Sequence, residues 1–193
     1  MSCKRILTVQ DISCIGQCSL TVALPILSAC GVETGILPSA VLSTHTGGFG
    51  KPAVNHLVDS LEPMRRHWQE QNITFDAIYT GYLGSVGAVE AAMKISDTLL
   101  APGGILIVDP AMADNGKLYP GFDDAYVDAM KGLCGIADYI VPNLTEACLL
   151  ADIEYKTDYD KAFIEGLLEK LVRLGCPNVI FTGVSYAPGK TGV

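Results

Sequence analysis

With 193 residues, 49% of them hydrophobic, the chain is long enough to bury a real core and is read as one domain over 1–193. A formal net charge of −8 and a sequence pI near 4.7 exclude the clustered basic face that nucleic acid or an anionic membrane requires, which leaves small molecules as the favoured partners. No run approaches the roughly 20 apolar residues of a bilayer span, since the longest candidate, Leu20 to Val32, is interrupted by Pro25, Ser28 and Gly31.

Lys4 and Arg5 precede only Ile6 to Val9, too short a run for a signal-peptide core, so a cytoplasmic protein is expected. The Cys count is 7, which is odd. Cys30, Cys134, Cys148 and Cys176 sit among apolar neighbours and read as reduced core thiols, and the lone close pair, Cys14 and Cys18, has no second pair to complete a zinc site.

Ile6 to Gln10 predicts a first strand that ends on Gln10-Asp11, and a helix follows over Cys18 to Cys30, closed by Gly31. Thr34 to Leu37 gives a second strand. Ser39 to Gly50 then reads as a loop of small and hydroxyl residues, Ser43-Thr44-His45-Thr46-Gly47-Gly48-Phe49-Gly50. A helix is predicted over Pro63 to Gln71, with Pro63 in its first turn and Trp68 on the buried side. Ala77 to Gly81 is a third strand, followed by Tyr82-Leu83-Gly84-Ser85-Val86-Gly87 and a helix to about Leu100.

Ile105-Leu106-Ile107-Val108 reads as a fourth strand buried on both faces, because four apolar residues run without polar alternation. It stops at Asp109-Pro110, where proline turns the chain out of the sheet beside a carboxylate. In open α/β sheets ligands bind at that carboxyl end. Asp114 follows in an Asp-Asn-Gly turn, so two acids near one edge are candidates to hold a divalent cation and a phosphate group.

Asp123 and Asp124 can start a helix over Ala125 to Cys134, Tyr139 to Val141 is a fifth strand, and Thr145 to Ala151 is helical. Asn143 and Glu146 fit a capping box, yet the same pair also adds an acid and an amide to the edge that carries Asp109 and Asp114. Both readings stand at this point. Phe163 to Leu174 has a clear helical stripe ended by Gly175, and Val179 to Thr182 is a sixth strand. Helices alternate with strands throughout, which predicts an α/β fold with a doubly wound, mostly parallel sheet covered by helices on both faces.

The tail Tyr186 to Gly192 does not make a phosphate loop. A Gly-x4-Gly-Lys-Thr pattern needs glycine where Val184 stands, so a surface turn is expected. Gly81, Gly84 and Gly87 do not form a dinucleotide fingerprint.

Five motifs in order resemble the pyridoxal kinase branch of the ribokinase-like superfamily: Gln10-Asp11, Ser43-Thr44-His45-Thr46-Gly47, Thr80-Gly81-Tyr82, Asp109-Pro110 with Asp114, and Val141-Pro142-Asn143 with Glu146. The resemblance covers essentially the whole chain. It implies phosphoryl transfer from MgATP to the 5′-hydroxymethyl group of a B6 vitamer, with a monovalent cation as a further candidate and a homodimer as the assembly. It also implies that Asp11, Thr46 and Tyr82 line the vitamer site under His45. On the same pattern Asp109, Asp114 and Glu146 hold the metal, and Asn143, Glu146 and Thr182 serve the nucleotide.

Two departures from the family pattern shape the expectations. Many members carry Ser where this chain has Asp11, and a carboxylate there suits an aminated ring such as pyridoxamine. The family's Gly-Thr-Gly-Asp segment, whose aspartate is the base, does not occur in these 193 residues. The expectation is therefore a ribokinase-like fold incomplete at its C-terminal end, binding vitamers without turnover. Hydroxymethylpyrimidine kinase and a non-catalytic vitamer-binding module are the alternatives.

Overall fold

The structure is a computed structural model of the chain, and it describes residues 4–186 and 189–193. The chain forms two compact units, Met1–Leu106 and Ile107–Val193.

The first unit is built on β1 (Arg5–Ser13), which pairs in parallel with β2 (Glu33–Leu42) on one side and with β4 (Phe75–Thr80) on the other. A short strand, β3 (Val54–His56), adds to β2 in antiparallel register with Ala40 opposite His56. The strand order is β3-β2-β1-β4-β5, where β5 spans Leu100–Val108. The helices between these strands are α1 (Leu20–Ala29), α2 (Val58–Glu70) and α3 (Val86–Leu99).

α3 has the spacing that burial demands. Ala88, Val89, Ala92, Ile95, Ser96 and Leu99 are buried in steps of three and four, and Ser85 caps the start by accepting from the Ala88 N–H at 3.2 Å. α1 differs, because its residues are apolar on all sides and only Leu20 is buried, leaving Val22 and Ile26 exposed.

In the second unit the last residues of β5, Ile107 and Val108, pair in parallel with β8 (Tyr139–Ile140), and β8 pairs in parallel with β9 (Asn178–Val179). A small hairpin of β6 (Ala113–Asp114) and β7 (Lys117–Leu118) leaves the end of β5. Asn115 (φ 51°) and Gly116 (φ 75°) both adopt left-handed conformations at its tip, as a two-residue type I′ turn requires. The helices are α4 (Asp124–Gly135), α5 (Leu144–Leu150) and α6 (Lys161–Arg173). Asp123 and Asp160 cap α4 and α6 by accepting from the N–H groups of Tyr126 and Phe163.

Mostly parallel pairing with intervening helices agrees with the predicted α/β class, but several boundaries differ from the sequence reading. α2 starts at Val58, so Pro63 lies inside the helix and not in its first turn. Ser39 to Leu42 continue β2 and do not belong to the loop; their pairing with β1 and β3 supplies ladder bonds that local composition does not reveal. β5 buries Leu106 and Val108, while Ile105 is 37% exposed and Ile107 is partly so; an all-apolar run looks the same in sequence whether one face or both are packed. Cys30 is exposed at the end of α1, whereas Cys134, Cys148 and Cys176 are buried as expected. The helix it ends turns most of its surface outward.

β9 stops at Val179, which leaves Thr182 beyond the strand. Of the surface turn expected at 186–192, residues 187 and 188 lie outside the described residues; beside them Val184 and Gly192 form an antiparallel bridge, and the Ser185 hydroxyl bonds to the Lys190 carbonyl.

Candidate active site

In the first unit the polar residues collect at the carboxyl ends of the parallel strands. The β1–β2 register shifts between Gln10 and Ile12, which pair with Pro38 and Val41, so Asp11 and Ser39 fall in an irregular step of the ladder. Such irregularities re-aim side chains. Asp11 is buried, 3% exposed, and its Oδ2 accepts from the Ser13 hydroxyl at 3.1 Å. The Ser39 hydroxyl, also buried, donates to the Tyr82 carbonyl at 2.7 Å and so ties the step in β2 to the turn after β4.

Tyr82 is half-buried. Burial pushes its phenol above the ordinary value, and the charge of Asp11 pushes it further, so the two groups the sequence proposed for one site do sense each other. Gly81 has no side chain because the Gln10 side chain occupies that space; a Cβ there would lie 2.9 Å from Gln10 Cδ. The Thr80 hydroxyl is fully buried with no hydrogen-bond partner among the described residues.

The loop after β2 rests on the loop after β1. His45 donates its backbone N–H to the Ile15 carbonyl at 2.8 Å, and a Cβ at Gly16 (φ +77°) would stand 2.7 Å from the Phe49 ring and 3.0 Å from His45 Cβ. His45 Nδ1 accepts from the Gly47 N–H at 3.1 Å, so its own ring proton sits on Nε2 and can be donated outward. His45 is half-buried and Thr46 is exposed on the same loop.

In the second unit Glu146 is the centre. Its Oε1 accepts from the Met112 N–H at 3.2 Å and its Oε2 from the Asn143 N–H at 2.9 Å, while Asn143 Oδ1 accepts in return from the Glu146 N–H at 3.0 Å. The capping box is therefore real, and Asn143 Nδ2 also donates to the Ala113 carbonyl at 2.9 Å. Burial outweighs these bonds and pushes the Glu146 carboxyl up to about 8, with the nearby Asp109 adding to the rise. Burial alone pushes Asp109 up to about 6. Thr182 donates its backbone N–H to the Pro142 carbonyl at 2.9 Å, and its hydroxyl reaches the same oxygen at 3.3 Å, which holds it beside Asn143.

Asp114 stands apart from this pair. The hairpin carries it to an exposed tip, where both its oxygens are taken by Asn115, by the backbone N–H at 2.8 Å and by the side-chain amide at 2.8 Å. Among the described residues no three His, Cys, Asp or Glu side chains come together as a cation site, so the expected trio reduces to Asp109 with Glu146. The tip is nonetheless fixed, because the Gly116 N–H donates to the buried Thr145 hydroxyl at 3.0 Å and the Tyr155 ring lies against Gly116. Nothing in the sequence marks Thr145 or Tyr155 as supports of this turn; the Asn-Gly pair is the signal for a tight hairpin.

The parallel strands, the helices between them and the carboxyl groups at strand ends define an α/β protein of the ribokinase-like type. The chain belongs to the phosphomethylpyrimidine kinase family, whose model matches residues 67–192. Among its relatives are pyridoxal kinases. It is 37% identical to a crystal structure from Bacteroides thetaiotaomicron described as a phosphomethylpyrimidine kinase with pyridoxal, with a TM-score of 0.92 and coverage of 97% of this chain and 65% of that one. The pyridoxal kinase of Lactobacillus plantarum is also 37% identical, with a TM-score of 0.87 over 96% of this chain and 66% of that one. A curated pyridoxal kinase of Dictyostelium discoideum is 27% identical over 187 residues, 94% of this chain and 60% of the relative. The chain thus spans less than two thirds of the length of each of these proteins.

Proposed function

We propose that the chain supplies the vitamer-binding and the metal-phosphate-binding residues of a kinase that transfers the γ-phosphoryl group of ATP to the 5′-hydroxymethyl group of a B6 vitamer. The observation that carries this reading is the likeness, along nearly the whole chain, to a structure that holds pyridoxal. The buried Asp11 beside Tyr82 supports it, since a carboxylate and a phenol ring together suit a flat, basic heteroaromatic ring. Asp11, Thr46 and Tyr82 would line the vitamer site, with His45 on the loop above.

On the phosphate side, Asp109 and Glu146 are suited to Mg2+. A half-buried Asp109 and a buried Glu146 that raise one another's charge cost would gain from a cation, and Mg2+ commonly takes one or two protein carboxylates together with phosphate oxygens. When bound, the ion would neutralise charge on the phosphates. Asn143 and Thr182 border that position. No residue of this chain is assigned the role of base. A homodimer in the cytoplasm is the setting we propose; no helix among the described residues is long and apolar enough to cross a membrane.

Asp11 also directs the choice of vitamer. A protonated aminomethyl group near a buried carboxylate gains a charge-assisted bond that the aldehyde cannot make. Pyridoxamine is expected to bind more tightly than pyridoxal, by about tenfold for a bond of about 1.4 kcal/mol. Asp11→Ser should bring the ratio of the two dissociation constants close to one, as read by isothermal titration. An unchanged ratio would remove Asp11 from specificity. Phosphomethylpyrimidine chemistry is the second reading, favoured by the description of the matching family.

A further inference from the structure

His56 ends β3, the outermost strand of the first unit, and its side chain is exposed. Nothing in its sequence surroundings marks it. Beside it lies Gly84, which has φ +84° and no room for a side chain. A Cβ there would stand 3.2 Å from His56 Nδ1 and 3.3 Å from His56 Cε1 on one side, and 3.2 Å from Tyr82 Cε1 on the other. The imidazole and the phenol therefore both border the space that a side chain at Gly84 would fill.

Hydrogen bonds to Ser39 tie down the backbone beside each ring. The Leu57 N–H donates to the Ser39 carbonyl at 2.9 Å, which fixes the residue after His56, and the Ser39 hydroxyl donates to the Tyr82 carbonyl at 2.7 Å. One buried serine thus anchors the backbone on either side of the two rings. Tyr82 also senses the charge of Asp11.

We infer that His56 is a specificity-determining residue of the vitamer site, its imidazole hydrogen-bonding the ring hydroxyl of the bound pyridine. This rests on the functional reading given above. The chemistry divides the polar groups of the vitamer between two residues. Asp11, an acceptor only, suits the protonated aminomethyl nitrogen. The ring hydroxyl is acidic and an acceptor once ionised, so it suits a group that can donate or accept, as imidazole does. Gly84 keeps the space between Tyr82 and His56 open.

The test compares pyridoxine with its 3-deoxy analogue by isothermal titration against the unsubstituted chain, His56→Ala and His56→Gln, with thermal melting to confirm that each variant is folded. His56→Ala is expected to weaken pyridoxine about tenfold and to leave the 3-deoxy analogue within about twofold, and His56→Gln is expected to recover part of the loss. Equal loss for both ligands, or no loss for pyridoxine, overturns the role of His56 while the functional reading stands. Absence of saturable binding by the unsubstituted chain overturns the functional reading and this inference with it.

Discussion

Between pH 5 and pH 8 the chain is expected to lose folding stability on the order of 3 kcal/mol, and Glu146→Gln to abolish most of that dependence. The sign follows from the direction of the shifts. An unfolded glutamate titrates near its model value of 4.5, whereas burial pushes Glu146 up to about 8, so the folded state holds its proton more tightly. The associated stability is complete below about pH 4.5 and disappears as pH rises through about 8. Asp109 acts in the same direction from its model value of 3.8 up to about 6, and because the two carboxyl groups interact they titrate as a pair.

Glu146→Gln keeps the side-chain shape but turns an NH2 group toward either the Met112 or the Asn143 N–H, so one acceptor is lost. That lowers stability by about 1–2 kcal/mol at pH 5, and the variant should then keep only the shallower decline that Asp109 imposes as pH rises through about 6. Urea denaturation at pH 5, 6, 7 and 8 reads both effects. A flat profile for the unsubstituted chain would show that the pair is better solvated than its burial implies. Mg2+ added at pH 8 should raise the midpoint, because a cation favours the charged forms.

The second large effect lies where two helix ends meet. Gly175 follows α6 at φ +123°, and a Cβ on it would lie 2.4 Å from the Gly135 carbonyl oxygen at the end of α4; a Cβ on Gly135 would in turn lie 2.8 Å from the Leu174 carbonyl oxygen. Both obstacles are backbone atoms, so no rotamer change relieves them. Gly175→Ala is expected to cost about 3 kcal/mol or more, equivalent to roughly 6–12 °C in Tm for a chain of this size. Gly166→Ala provides the contrast. It lies within α6 with nothing near its added Cβ, and should stabilise by roughly 0.5–1 kcal/mol. Equal melting temperatures for Gly175→Ala and the unsubstituted chain would contradict the close approach.

Features set by local chemistry were legible in the sequence. Asp123 before α4, the Asn143 and Glu146 pair at the start of α5, and Gly175 after α6 are read from residue types within a few positions, and each occurs as expected. Features set by pairing at a distance were not. β3 consists of three exposed residues held only by the far end of β2, so Val54-Asn55-His56 shows no alternation to detect. β2 extends through Ser39 because β1 and β3 flank it, although its composition there is that of a loop.

The same division holds for the candidate site. Asp11 with Tyr82, and Asp109 with Glu146 and Asn143, are each brought together within one unit. Asp114 follows Asp109 closely in sequence and groups with the acids on that ground alone, but the type I′ turn carries it outward to bond with Asn115. His56 carries no signal in the sequence, because its nearness to Tyr82 is set by the turn at Gly84, which no spacing along the chain encodes.

The most direct measurement is a titration of the unsubstituted chain with pyridoxamine, pyridoxal and hydroxymethylpyrimidine under identical conditions. The account predicts saturable binding of the two vitamers, pyridoxamine the tighter, and markedly weaker binding of the pyrimidine. Preference for the pyrimidine, or no saturable binding of either vitamer, would contradict it.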